Sequence, residues 1–293
     1  KDSWIEWAAT KGGTAIDLNG GASAEISGNT LSGNVSASSV AQIRHRGAGG
    51  RIQIIGNLIA VDRGNGISQE ATSSQGSSIV GNTFSVSSPT QHVITGAELG
   101  GTTIQGNRFY LISTAGISGS VVNLPANKVP VVITGNYMAC LTTPPTAAVG
   151  ITIAATTTAG PTITGNHFDG FVTGITDGLN NAGKNGIIAD NTFYQCTTPI
   201  AVTNVASQII RDNLGYVTEN SGTATVANGT TTIVVAHGLS ATPTRVLLTA
   251  TLWSNAAKAW VTTIGATNFT INVNADPGAG TATFDWRAQL GEG

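Results

Sequence analysis

The chain has 293 residues, with 13 Lys plus Arg against 15 Asp plus Glu and a formal net charge of −2. Only 10% of residues are charged and no basic run occurs, so no nucleic-acid partner is expected. No stretch of about 18 apolar residues exists, which excludes an expected membrane-spanning helix. The 38 glycines, with abundant Ser, Thr, Asn, Val and Ile, disfavour helix and suit many short strands separated by turns. The chain opens on Lys1 without a signal-peptide pattern, which reads as a fragment or processed product with further coils before it.

From residue 26 onward one motif recurs eight times: Ile26-Ser-Gly-Asn29, Ile54-Ile-Gly-Asn57, Ile79-Val-Gly-Asn82, Ile104-Gln-Gly-Asn107, Ile133-Thr-Gly-Asn136, Ile163-Thr-Gly-Asn166, Ile188-Ala-Asp-Asn191 and Ile210-Arg-Asp-Asn213. Successive Asn residues are 28, 25, 25, 29, 30, 25 and 22 apart. Two residues after the Asn come Leu31, Ile59, Phe84, Phe109, Met138, Phe168 and Phe193, until Gly215 breaks the series. Inward residues of one strand differ by an even number of positions, yet this Ile and this Phe differ by five. A bend must therefore lie between them, at Gly-Asn or Asp-Asn, residue types that tolerate left-handed backbone.

A third strand is expected around Ile43, Ile67, Val93, Ile117, Ile151, Ile175 and Ile200. Three strands and three turns per 22–30 residues specify an all-β fold, a right-handed parallel β-helix of about eight coils over residues 1–215. The Asn residues should form an amide ladder along the axis, as in other stacked β structures. Asp190 and Asp212 stand where the other coils have Gly and read as turn residues. Cys140 and Cys196 fall two coils apart, roughly 9–10 Å at strand spacing. That exceeds the ~7 Å reach of a disulfide, so both should be free.

From Tyr216 to residue 293 the texture changes to longer alternating strands: Thr223 to Val226, Thr231 to His237, Arg245 to Thr251, Lys258 to Thr263, Phe269 to Val273 and Thr281 to Arg287. They read as a small antiparallel β-sandwich, with Asn228-Gly229 as a hairpin turn and Asp276-Pro277-Gly278 as a turn before the last strand. An open β-helix end exposes unpaired backbone, and this domain is expected to cap it. Trp253, Trp260, Phe269, Phe284 and Trp286 serve either as its core or as contacts with sister subunits.

The Gly-Asn coils, followed by His237-Gly-Leu-Ser-Ala-Thr-Pro-Thr244, Ala266-Thr-Asn-Phe-Thr-Ile-Asn-Val273 and Gly280-Thr-Ala-Thr-Phe-Asp-Trp-Arg287, resemble the distal parts of phage tailspike and tail-fibre proteins. Gly-Asn coils also occur in pectate-lyase-like enzymes. The resemblance implies a homotrimer joined to the upstream part of a virion tail and assembled in the host cytoplasm. It also implies a flank or inter-subunit groove that binds a host surface polysaccharide. Some relatives cut that glycan and others only bind it.

Carboxyl groups are scarce in the coils: Asp62, Glu70, Glu98, Asp169, Asp177, Asp190 and Asp212. Glycoside hydrolysis needs two of them roughly 5–9.5 Å apart. Glu70 and Glu98 follow the third-strand residues of adjacent coils and form the candidate catalytic pair, with Arg46 stacked over Glu70 and Arg44, His45, Arg51 and Arg63 nearby. The alternative is a simple exposed Arg46–Glu70 ion pair. A second cluster points outward after the turn: Tyr110, Asp169, Tyr194 and, two positions past Asp169, Phe171. With Arg46 they are the candidate ligand-binding residues, since aromatic faces beside an acid suit a sugar. His167 and His237 lack partners at metal-ligand spacing, and no metal or cofactor is expected. No Gly-x-Ser-x-Gly motif or Cys–His pair points to a nucleophile. Two readings stay open, a glycan-binding adhesin and a depolymerase. A lyase or epimerase with a calcium-binding acid cluster ranks below both.

Overall fold

The computed structural model describes residues 4–7, 14–19, 23–33, 41–46, 50–61, 64–70, 76–87, 92–97, 99–112, 119–125, 129–141, 148–157, 159–179, 186–203, 208–253, 255 and 258–290. Among these residues every regular element is a strand. Chain contacts separate two units, residues 1–209 with 213–215, and residues 210–212 with 216–293.

The first unit is a parallel β-helix of three eight-stranded sheets. The first sheet runs from Trp4–Trp7 to Thr192–Tyr194, the second from Ile16–Leu18 to Thr198–Val202, and the third from Ala24–Ser27 to Gln208–Arg211. Each coil passes from third sheet to first across the Gly-Asn bend. Gly28, Gly56, Gly81, Gly106, Gly135 and Gly165 have φ between 62° and 68°, and Asp190 and Asp212 adopt the same conformation at 57° and 55°. A short polar side chain makes left-handed backbone tolerable at the last two.

The residue after each bend is the buried Asn, and the eight form one continuous ladder. Each Nδ2 donates to the Oδ1 of the next coil at 2.8–3.1 Å, from Asn29–Asn57 through to Asn191–Asn213. The backbone N–H of each donates to the same oxygen at 2.9–3.0 Å. From Asn57 onward, Nδ2 also donates to the carbonyl of the motif Ile in the preceding coil, as Asn57 does to Ile26 at 2.8 Å. A buried carboxamide satisfied this way adds about 1 kcal/mol net per bond and severely penalises any slip in register.

The ladder aligns the apolar columns. Ile54, Ile79, Ile104, Ile133 and Ile163 pair in register, as do Ile59, Phe84, Phe109, Met138, Phe168 and Phe193. Rings of Phe84 and Phe109 stack at 4.7 Å, and those of Phe168 and Phe193 at 5.0 Å. The third-strand column differs from expectation at two coils. Ile94, not Val93, pairs with Ile67, and Val122 fills the next place. Ile117 lies outside the described residues. Both thiols are free. Burial, with Cys196 close by, pushes the Cys140 thiol up to about 12, so it stays protonated.

The second unit consists of two three-stranded antiparallel sheets. One orders Glu219–Val226, Ala282–Gln289 and Arg245–Leu252; the other orders Thr232–Ala236, Asn268–Val273 and Ala259–Thr262. Asn228-Gly229 is therefore not a hairpin turn, because the strands on its two sides belong to different sheets; with Gly229 at φ 80° it is a corner between them. Phe269, Phe284 and Trp286 are buried in the core, Phe269 meeting Trp286 edge-on at 5.5 Å. Trp253 and Trp260 are exposed. His237 is fully buried and held as one tautomer: Nδ1 accepts the Leu239 N–H and Nε2 donates to the Gly265 carbonyl.

Two outcomes follow from this packing. Asn107→Ala removes the acceptor for two Asn82 donors and leaves the Ile79 carbonyl and Asn136 side chain short of partners. It should lower unfolding stability by about 3 kcal/mol in a denaturant titration. Asp177 is fully buried within the second sheet, Oδ1 accepting the Leu179 N–H while Oδ2 has no partner within hydrogen-bond distance among the described residues, with the Gln208 side chain close by. Burial raises its pKa. The native state then binds this proton more tightly than the unfolded chain, whose carboxyl titrates near ~3.9. The resulting stability is complete below that value and is lost as pH rises through the raised native pKa. Asp177→Asn should remove this component, so the stability difference between variant and parent grows from pH 4 to pH 7.5; parallel curves would contradict the assignment.

Candidate functional site

Strand parity and the ladder decide which side chains leave the first sheet. Residues one and three past the Asn point outward, while those two and four past point in. The outward rows hold Leu58 and Ala60, then Thr83 and Ser85, at earlier coils and then change character. One row continues Arg108, Tyr137, His167, Thr192; the other continues Tyr110, Ala139, Asp169, Tyr194. Adjacent members sit about one strand spacing apart, ~4.8 Å.

These rows make a compact aromatic platform. Tyr137 and His167 stack with ring centroids 5.1 Å apart and planes 10° from parallel. Tyr110 tilts against Tyr137 at 6.0 Å. The Tyr137 hydroxyl is pushed above its usual pKa by burial first, then by the nearby Asp169 carboxylate and Tyr110. It is therefore a neutral donor at physiological pH. No hydrogen bond from the described residues reaches the Asp169 carboxylate, and Tyr194 beside it is 55% exposed. Ring edges, a phenol donor and a carboxylate that no described residue bonds, all on one sheet face, can hold an uncharged polyhydroxyl ligand by apolar contact and charge-assisted hydrogen bonds.

The structure thus brings together three of the expected ligand-binding residues, Tyr110, Asp169 and Tyr194. It moves Phe171 elsewhere. Gly170 takes φ 72°, which breaks strand alternation and turns Phe171 inward, fully buried and edge-on to Phe168 at 6.3 Å. Tyr137 and His167 were missed. Their signal was available: they occupy the position directly after the Asn, which the same parity places outward.

Arg46 lies on the outer face of the second sheet, away from this platform. Its guanidinium pairs with Asp17 on the preceding coil, Nε donating to Oδ1 at 2.9 Å and Nη2 to Oδ2. Glu70 is paired with Arg44 rather than with Arg46. Arg44 Nε and Nη2 donate to one carboxylate oxygen at 2.9 and 2.6 Å, and Ser68 Oγ reaches the other at 3.3 Å. The cause is the register. Arg44 stands between Asp17 and Ser68, so each Arg spans diagonally to an acid two residues along a neighbouring strand. Glu98 lies outside the described residues. Among the described residues, no three His, Cys, Asp or Glu side chains gather as a metal site.

No protein-family model and no curated protein matches the chain. Solved structures do. The chain is similar to phage tailspikes. The tailspike gp61 of Pseudomonas phage phi297 aligns at 12% identity and TM-score 0.44, over 95% of this chain and 60% of that one. A mutant tailspike of E. coli bacteriophage HK620, in complex with a hexasaccharide, aligns at 10% identity and TM-score 0.37, over 90% of this chain and 58% of that one. Another HK620 mutant, in complex with a pentasaccharide, gives 9% and 0.35 over 98% and 73%. The chain spans about three fifths of the length of the first two.

Replacement tests the two burial states directly. Phe171→Ala should cost about 3–5 kcal/mol of stability through the cavity it leaves. Tyr194→Ala should stay within about 0.5 kcal/mol, as an exposed substitution does.

Proposed function

We propose that this chain is the host-recognition part of a phage tailspike or tail fibre. It binds a bacterial surface polysaccharide along the outward face of the first sheet. The observation that carries this reading is the Tyr137–His167 stack beside the Asp169 carboxylate, which no described residue bonds, flanked by Tyr110 and Tyr194. A platform on paired strands is already ordered, so a glycan loses only its own freedom on binding. In this reading the protein works as a homotrimer on the virion tail, attached to the upstream part of the tail and assembled in the host cytoplasm. Residues 216–293 form the trimerisation domain, where Trp253 and Trp260, 42% and 47% exposed, offer apolar area to sister subunits.

A second reading, cleavage of the same glycan, draws on Glu70. Arg44 and Ser68 hold its carboxylate in place on the outer face of the second sheet, and in this reading it acts as the base or nucleophile. Glu98 would then serve as the acid.

Binding to immobilised capsule or lipopolysaccharide tests the first reading. Tyr137→Ala should weaken it roughly tenfold, as loss of a central aromatic anchor does; unchanged binding contradicts the platform. New reducing ends from the same polysaccharide, abolished by Glu70→Gln, would support cleavage. Cleavage that survives Glu70→Gln and Glu98→Gln together would remove both residues from the mechanism.

A further inference from the structure

Inside the first unit, one corner is polar in the first coils and apolar further along. The inward column at the end of the second sheet runs Leu18, His45, Gln69, Gly96 in register. The residues that lead into the third sheet there include Ser77 and Thr102, both buried. In later coils the same places hold Leu124 and Ile153, paired in register, and the buried Val131. His45 is fully buried, yet neither ring nitrogen has a hydrogen-bond partner among the described residues. Gln69, beside it on the next coil, is fully buried too. Its Oε1 accepts the Thr102 hydroxyl at 3.3 Å and its Nε2 has no partner among the described residues. The charged side chains described on the adjoining strands stand on the outer face and are paired there, Asp17 with Arg46 and Glu70 with Arg44. Glu98 lies outside the described residues. Among the described residues, then, no carboxylate faces the ring, and burial lowers its pKa.

We infer that His45 is an acid-sensitive latch on the first coils: the neutral ring keeps this corner closed, and a proton added to it favours an opened form in which the ring meets water. The inference is independent of the glycan reading. An imidazolium carries two N–H donors and a full charge, and the closed corner offers it neither a free side-chain oxygen nor a counter-charge. In the opened form the ring titrates near ~6.5. The opened form therefore takes the proton first. The ring's contribution to closure is complete above that pH and is lost as pH falls from there toward the lowered native value. Between pH 7.5 and pH 5.5 one such group raises the opening equilibrium about tenfold. The corner built from Leu124, Ile153 and Val131 has no group of this kind and should stay closed. His92 is the other histidine of the second sheet with a lowered pKa, again through burial. It is half-buried and its Nδ1 accepts the Ser120 N–H at 3.0 Å, at the opposite end of the strands.

Hydrogen exchange read by mass spectrometry on the full chain at pH 7.5 and pH 5.5, with labelling times scaled for the intrinsic effect of pH, tests this. Amides of Ala41–His45 and Asn65–Gln69 should open about tenfold more at the lower pH, while those of Val149–Ile153 and Thr162–Thr164 should not change. His45→Gln places an uncharged side chain like its neighbour Gln69 in the column and should abolish the difference. Equal protection of the first coils at both pH values overturns the latch. So does a difference that His45→Gln keeps, whether it then disappears in His92→Asn or in Glu70→Gln. Should His45→Gln fail to fold, ring-carbon NMR of the histidine-labelled parent decides. His45 should remain neutral in the folded chain at pH 5.5, and a ring that titrates near ~6.5 without loss of protection overturns the inference.

Discussion

The asparagine ladder is the interaction on which the rest of the first unit depends. An amide group has two donors and an oxygen with two lone pairs, which matches a stack related by simple translation. Each Oδ1 takes one backbone and one side-chain N–H from the coil before, and Nδ2 gives its second proton to an Ile carbonyl. Displacing one coil by a residue would strand several buried polar groups at once. The left-handed Gly or Asp ahead of each Asn is the backbone geometry that lets a single position end one strand and anchor the next.

Register fixed this way converts a repeat into a surface. With Asn and the Ile and Phe columns committed to the interior, positions one, three and five past the Asn are free to vary at no expense to the core. They are presented at constant spacing on a sheet whose strands are paired on both sides. Earlier coils place Leu58, Ala60, Thr83 and Ser85 in the first two rows; from Arg108 onward aromatic and acidic side chains enter them. On the proposed reading a ligand would meet side chains that are already positioned, which is the main advantage of building recognition on strands rather than loops.

The repeat made much of this legible from residues alone. The Ile-x-x-Asn spacing gave the sheets, the bend, the ladder and the inward Phe column, because each is a local consequence of strand parity. What escaped had non-local causes. Phe171 was expected outward because alternation was carried past Gly170, whose left-handed conformation ends it. The third-strand residue shifted from Ile117 to Val122 since the gap before that strand varies in length. Asn228-Gly229 has the composition of a hairpin turn, yet which sheet receives the next strand is decided by Phe269 and Trp286 packing between sheets. Glu70 pairs with Arg44 across a diagonal two residues off the strand register, where stacking in register had suggested Arg46. Tyr137 and His167 were within reach, at a position whose outward direction follows from the same rule that placed Tyr110.

The central claim is that the outward face of the first sheet is where the glycan lies, and a crystal structure of the chain soaked with an oligosaccharide from a bound polysaccharide tests it most directly. The account predicts sugar rings over Tyr137 and His167, hydroxyls on Asp169 and chain direction along the coil axis. Sugar density on another face, with this one empty, would contradict it.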